Sequence, residues 1–196
     1  MKAEIVSQNP HKLRELAVLL PGWDLRATGA AELPEETGET FYENALAKAR
    51  FGRAVGAADR WAIGEDSGLE VAGLDGRPGI RSARFAGPGA ADEDNVRRLL
   101  AELAGVTGAG RAASYVSELV CLSPASEEFR GTGTLSGRIA GEPRGSGGFG
   151  YDPVFVPEGE ERTVAELGDE WKAAHSHRAA AARALREAVG SARRND

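Results

Sequence analysis

Lys2-Ala3-Glu4-Ile5-Val6-Ser7-Gln8-Asn9-Pro10-His11-Lys12 decides the fold class. Ile5 and Val6 centre a short buried strand that ends at Ser7. Asn9 then offers a side-chain oxygen to the first N–H groups of a helix, and Pro10 fills the first helical position with its φ already set. Leu13, Leu16, Ala17 and Leu20 follow at helical spacing, and Pro21-Gly22 closes the run. A strand that feeds straight into a helix opens an α/β chain.

The same logic extends along the rest. Thr40 with Glu43 three residues on is a capping box, and a helix runs from there to about Ala54. Trp61 to Gly64 reads as a strand that delivers Glu65-Asp66. A Gly/Pro-rich loop fills 73–90, and a helix follows from Asp92 to Leu103. Ala112 to Leu122 and Phe129 to Ile139 read as two paired strands joined by Ser123-Pro124. A short strand at Val154–Val156, a capping box at Thr163 and Glu166, and a final helix from Ser176 complete the chain. The Ala/Arg-rich tail from about residue 190 is expected to fray. Strands and helices are mixed, with a β-rich middle. The expected class is therefore α/β (α+β) on a central mixed sheet, as a single domain over residues 1–196.

Bulk composition narrows the function. Of the 196 residues, 41% are apolar and 28% charged, as in globular chains, and no apolar run is long enough for a membrane span. The formal net charge of −6 argues against a general binder of nucleic acid or membrane. One cysteine, Cys121 in an apolar run, forms no internal disulfide, and no secretory signal is read at the start. Both point to the cytoplasm. Only four of the 24 basic residues are lysines: Lys2, Lys12, Lys48 and Lys172. Lys12 and Lys172 fall inside motifs, where a compact cation suits phosphate.

Three constellations carry chemistry. In Ser7-Gln8-Asn9-Pro10-His11-Lys12 a strand end meets a helix N-terminus, which attracts anions. It lacks the glycines of the common nucleotide fingerprints, and an ordinary capped helix fits it equally well. The acidic set is Glu35, Glu36 and Glu39 before one helix and Glu65-Asp66 at the end of a strand. Oxygen ligands of this kind suit magnesium. A solvated turn also accounts for Glu35 and Glu36. The third is Lys172 with His175-Ser176-His177-Arg178, where cations stand against the dipole of a helix start. No third zinc ligand lies near those histidines.

Gly145-Ser146-Gly147-Gly148-Phe149-Gly150-Tyr151-Asp152-Pro153 is not a linker, because linkers of the Gly/Ser type do not carry Phe, Tyr and Asp-Pro. Its glycines let backbone approach a flat ligand closely. Phe149 is placed to stack on a ring, and Asp152 to accept from N–H donors.

Together these segments resemble the inosine triphosphate pyrophosphatase family over nearly the whole chain. The resemblance rests on Ser7 to Leu16, Glu36-Thr37-Gly38, Thr40-Phe41 and Glu43-Asn44-Ala45. It continues through Asp66-Ser67-Gly68-Leu69, Pro78 to Phe85, Gly147 to Pro153 and Ser176-His177-Arg178, in the expected order. It implies an elongated mixed sheet with two lobes around a nucleotide-binding cleft, a magnesium cofactor and a homodimer. It also implies hydrolysis of ITP, dITP and XTP to monophosphate and pyrophosphate. By position, Ser7, Gln8, Asn9, Pro10, His11 and Lys12 would lie on the phosphate side. Glu36 and Asp66 would hold magnesium, with Glu65 a further candidate, and Asp66 would be the proton acceptor. Ser67, Phe149, Gly150, Tyr151, Asp152, Lys172, His177 and Arg178 would bind the nucleotide. His177, Arg178 and loop N–H groups would donate to the 6-oxo group of hypoxanthine and xanthine, where adenine presents a donor instead. Two rivals stand beside this reading. One is a nucleotide sensor without turnover, favoured only by Glu65, where the family usually has Asp. The other is a pyrophosphatase for modified pyrimidine nucleotides.

Overall fold

The structure is a computed structural model that describes residues 1–30 and 32–195. Six strands, Lys2–Val6 (β1), Asp24–Ala27 (β2), Trp61–Val71 (β3), Ala112–Leu122 (β4), Glu128–Ile139 (β5) and Phe155–Pro157 (β6), form one sheet. Their order is β2-β1-β3-β4-β5-β6. β1 pairs in parallel with β2 and with β3, Ile5 lying opposite Ile63, whereas β5 and β6 are antiparallel. The helices are Pro10–Leu19 (α1), Phe41–Val55 (α2), Asp92–Glu102 (α3), Val164–Leu167 (α4), Asp169–His175 (α5) and His177–Asn195 (α6). The fold is thus α/β on a mixed sheet, the class read from the sequence. Among the described residues, no helix is long and apolar enough to cross a membrane.

The chain divides into two compact units. The first comprises Met1–Asp66, Ser117–Gly133 and His177–Asp196. Here Ala3, Ile5, Ile63, Leu119 and Cys121 pack against Leu16 and Leu20 at α1, and against Ala181, Ala182, Leu185 and Val189 of α6. Val120 and Leu122 meet Ala45 and Ala49 of α2 instead. Residues 119–122 therefore alternate between two apolar faces, as the period-2 strand geometry requires. With both faces covered, these strands read as continuous apolar runs rather than an alternation. At Gly64 a Cβ would come within 1.9 Å of the Ala45 carbonyl oxygen and 2.6 Å of Ala49 N, so only glycine lets α2 lie this close to β3.

Local signals start the helices. Asn9 accepts from His11 N and Lys12 N ahead of Pro10, and Thr40 and Glu43 make both halves of their capping box. Thr163 and Glu166 do the same for α4.

The second unit comprises Ser67–Val116 and Thr134–Ser176. Its core joins Leu69, Val71, Ala113, Tyr115, Ile139 and Phe155 of the strands to Phe85, Val96, Leu99, Leu103, Tyr151 and Val164.

Several elements differ from the sequence reading. β3 does not stop at Gly64 but continues to Val71, so Glu65 and Asp66 lie within a strand rather than at its end. β2 and α5 are additional elements. The 73–90 loop contains a 3-10 turn over Gly79–Arg84, and another spans Ala72–Leu74.

Candidate active site

Three lysines and an arginine organise the buried carboxylates, and each does so within a single unit. In the first, Lys12 rises from the opening turn of α1 and places Nζ 2.6 Å from Glu65 Oε2. Glu65 is 1% exposed. Its Oε1 accepts from Arg178 Nε at 3.2 Å, Arg178 Nη2 at 3.0 Å and the Ser117 hydroxyl at 3.3 Å. The Arg178 guanidinium, itself 1% exposed, also donates to Glu15 Oε2. Burial alone would raise the Glu65 carboxyl. The Arg178 and Lys12 charges outweigh it and hold the carboxyl well below the usual range, with Lys48 adding to the effect. The paired cations thus favour the ionised form of Glu65.

One residue further along β3, Asp66 is driven the other way. Burial raises its carboxyl, and the Glu36 and Glu65 charges add to the rise against the opposing pull of Lys48 and Lys12. Asn44 Nδ2 donates to Asp66 Oδ2 at 3.1 Å and its own Oδ1 accepts from Gly38 N at 2.9 Å, so Asn44 ties the Glu36 segment to this aspartate. Lys48 Nζ joins both carboxylates. It lies 2.5 Å from Glu36 Oε1 and 3.3 Å from Asp66 Oδ1, and donates to the Glu65 main-chain oxygen at 3.1 Å. Burial would lower the Lys48 ammonium, but Asp66 and Glu36 raise it, so it stays charged.

Four carboxylates (Glu15, Glu36, Glu65, Asp66) thus face three cations (Lys12, Lys48, Arg178), a cluster one charge short of neutral. A polyphosphate, strongly negative itself, enters such a cluster only with added positive charge. Among the described residues no three His, Cys, Asp or Glu are grouped as a metal site. Glu36 and Asp66 nonetheless share one cation, and two carboxylates with water and substrate oxygens suit magnesium, which is seldom held by protein ligands alone. The donor set fits that ion.

The glycine loop lies in the second unit. Asp152, 2% exposed, takes the Lys172 ammonium at 2.6 Å and Phe149 N at 2.9 Å on Oδ2, and the Tyr115 hydroxyl at 3.2 Å on Oδ1. Lys172 Nζ lies 4.3 Å from the centre of the Phe149 ring. Gly148 sits at φ +75°, and a Cβ there would meet Asp152 Oδ2 at 2.1 Å. Any side chain would break the turn. Gly150 N donates to Asp92 Oδ2 at 2.7 Å, and the Tyr151 hydroxyl donates to the Ser82 carbonyl at 2.9 Å. The half-buried Phe149 ring is held by its own backbone and by a cation beneath it, an arrangement that offers a fixed flat surface.

The residues singled out in sequence are thus gathered into two sets. Lys12, Glu36, Glu65, Asp66 and Arg178 form one; Phe149, Gly150, Tyr151, Asp152 and Lys172 belong to the other. His177 is the buried first residue of α6, and Ser67 follows Asp66 on β3. Ser7, Gln8, Asn9, Pro10 and His11 make the turn into α1. There Ser7 Oγ accepts from Asn9 N, and the His11 and Lys12 N–H groups go to Asn9 Oδ1. His11 Nδ1 lies 2.9 Å from Arg14 Nη2. Sequence reasoning gives no role to Asn44, Lys48, Ser117 or Tyr115. Asn44 and Lys48 do carry a signal, two polar residues one turn apart on the apolar face shared by Phe41, Ala45 and Ala49.

The profile of the Ham1 family matches residues 4–188. A dITP/XTP pyrophosphatase of Bdellovibrio bacteriovorus is 42% identical over 193 residues, covering 95% of this chain and 96% of that protein. The solved Ham1 protein of Staphylococcus aureus superposes with a TM-score of 0.85 at 36% identity, over 98% of this chain and all of the other. A nucleoside-triphosphatase/dITP/XTP pyrophosphatase from Mycobacterium abscessus gives a TM-score of 0.74 at 41% identity, over 94% and 97% of the two chains.

Proposed function

The chain belongs to the Ham1 family, and we propose from that premise how its residues divide the work of hydrolysing non-standard purine nucleoside triphosphates. The enzyme is a dITP/XTP pyrophosphatase. Its products are the nucleoside monophosphate and pyrophosphate, and ITP belongs with dITP and XTP among its substrates.

The observation that carries the residue assignment is the placing of Glu36 and Asp66 around one ammonium, beside a Glu65 paired with Lys12 and Arg178. Glu36 and Asp66 would hold magnesium, which supplies the positive charge the cluster lacks and neutralises charge growing on the leaving pyrophosphate. Water attacks the α-phosphorus and Asp66 accepts its proton, since its raised carboxyl makes it the better base of the adjacent pair. Glu65 takes no proton; it holds Lys12 and Arg178 in place. Lys12 and Lys48 draw the phosphates in. Ser7 to His11 shape the turn that carries Lys12.

The base falls to the glycine loop. Phe149 stacks on the purine and the loop N–H groups meet the 6-oxo acceptor, while His177 and Arg178 are separate candidates for a nucleotide contact. Arg178 also serves Glu65, so its substitution acts on the carboxylate cluster as well. Ser67, Gly150, Tyr151, Asp152 and Lys172 complete the nucleotide contacts. The whole chain acts as one catalytic domain, assembles as a homodimer and works in the cytoplasm, where the nucleotide pool lies.

A substrate panel tests the reading. With magnesium, pyrophosphate release from dITP, ITP and XTP should far exceed that from dATP, and EDTA should abolish it. A preference for modified pyrimidine triphosphates, or binding without turnover, would overturn it.

A further inference from the structure

We infer that Tyr115 is a positioning residue for base recognition, acting through Asp152; the inference rests on the reading of the glycine loop as the base site. Tyr115 stands on β4, 7% exposed, with its ring 4.6 Å from that of Phe155. Its hydroxyl donates to Asp152 Oδ1 at 3.2 Å. The other carboxylate oxygen already takes Lys172 Nζ and Phe149 N. Asp152 therefore has donors on both of its carboxylate oxygens, and the carboxylate cannot turn without straining one of those bonds.

That orientation matters because Asp152 Oδ2 sets two things at once. It fixes the backbone N–H of Phe149, hence where the ring stands. It also anchors the ammonium that lies against that ring. Without the phenol, the restraint on Oδ1 is lost and the carboxylate holds the Phe149 N–H less firmly. Removing a donor to a buried charged group is a substantial loss, whereas removing one oxygen from a well-packed ring leaves the packing unchanged. Tyr115→Phe is therefore expected to loosen the loop while the core around Phe155 stays intact.

The test compares Tyr115→Phe, Asp152→Asn, Phe149→Ala and the parent enzyme, assayed with dITP and magnesium. Equilibrium binding of dIMP, which carries the base but no leaving group, is measured alongside. Tyr115→Phe should weaken dIMP binding about tenfold and raise KM for dITP by a similar factor, with a smaller fall in kcat. Hydrogen exchange at residues 147–152 should accelerate. If Asp152→Asn weakens dIMP binding and Tyr115→Phe does not, the inference is overturned and the base-site reading stands. If Phe149→Ala and Asp152→Asn both leave dIMP binding unchanged, the base-site reading fails and takes the inference with it. A lower melting temperature in Tyr115→Phe with unaltered dIMP binding would mark a purely structural phenol and likewise overturn it.

Discussion

Glu65 and Asp66 are consecutive on β3, yet their carboxyls are driven in opposite directions. Burial acts on both. Glu65 has Arg178 and Lys12 against its two oxygens, while Asp66 shares Lys48 with Glu36. One strand thus carries a carboxylate with a lowered pKa beside one with a raised pKa, the separation that lets one of two acidic neighbours act as a base.

Asp66→Asn should keep the fold and lower dITP turnover by about 100-fold or more, the scale of losing a base or a metal ligand. Circular dichroism establishes the fold, and pyrophosphate release the loss. Near-parent turnover in a folded variant would remove Asp66 from the chemistry.

The rate should rise with pH as Asp66 ionises, its carboxyl lying above the ordinary value of about 3.9, and a rate that does not rise from acid towards neutral pH would contradict the assignment. Lys48 pulls that carboxyl down. Lys48→Met should therefore move the acid limb of kcat/KM to higher pH. An unmoved limb would show that Lys48 does not govern Asp66.

Glu65 makes the opposite pH prediction, for stability. Its pKa is lower in the folded chain than the unfolded value of about 4.3, so it stabilises the fold above that pH, and the stabilisation disappears as pH falls towards the folded value. Glu65→Gln should lower the melting temperature at pH 7 and flatten its decline below about pH 4. Arg178→Met, which strands a buried carboxylate, should cost about 3–5 kcal/mol at neutral pH by denaturant unfolding. A loss within error would mean Lys12 and Ser117 suffice for Glu65.

Phe149→Ala should weaken dITP, XTP and dATP together by ~1–3 kcal/mol, because stacking serves every base alike. A loss confined to the 6-oxo bases, seen in kcat/KM, would instead make the loop around Phe149 the selective element.

Much of this arrangement is legible in local sequence. Asn9-Pro10, Thr40 with Glu43, and Thr163 with Glu166 each satisfy helix N–H groups within a few residues, so their signals survive without tertiary context. The glycine loop is legible because Gly148 leaves no room for any side chain. β2 is not: four residues, three of them exposed, carry no alternation. The far half of β3 is hidden because Glu65-Asp66-Ser67 looks polar, and only the pairing of Glu65 with Lys12 and Arg178 makes its burial tolerable. Lys48 escapes a sequence reading for a related reason. Its partners at 36 and 66 lie on either side of it in sequence, and only the packing of α2 on β3 at Gly64 brings them to one ammonium.

In the proposed reaction water attacks the α-phosphorus of a 6-oxo purine triphosphate. Hydrolysis of dITP in ¹⁸O-labelled water with magnesium tests it most directly. The expected products are dIMP carrying one labelled oxygen and unlabelled pyrophosphate. Label in the pyrophosphate, or release of dIDP and orthophosphate, would contradict it.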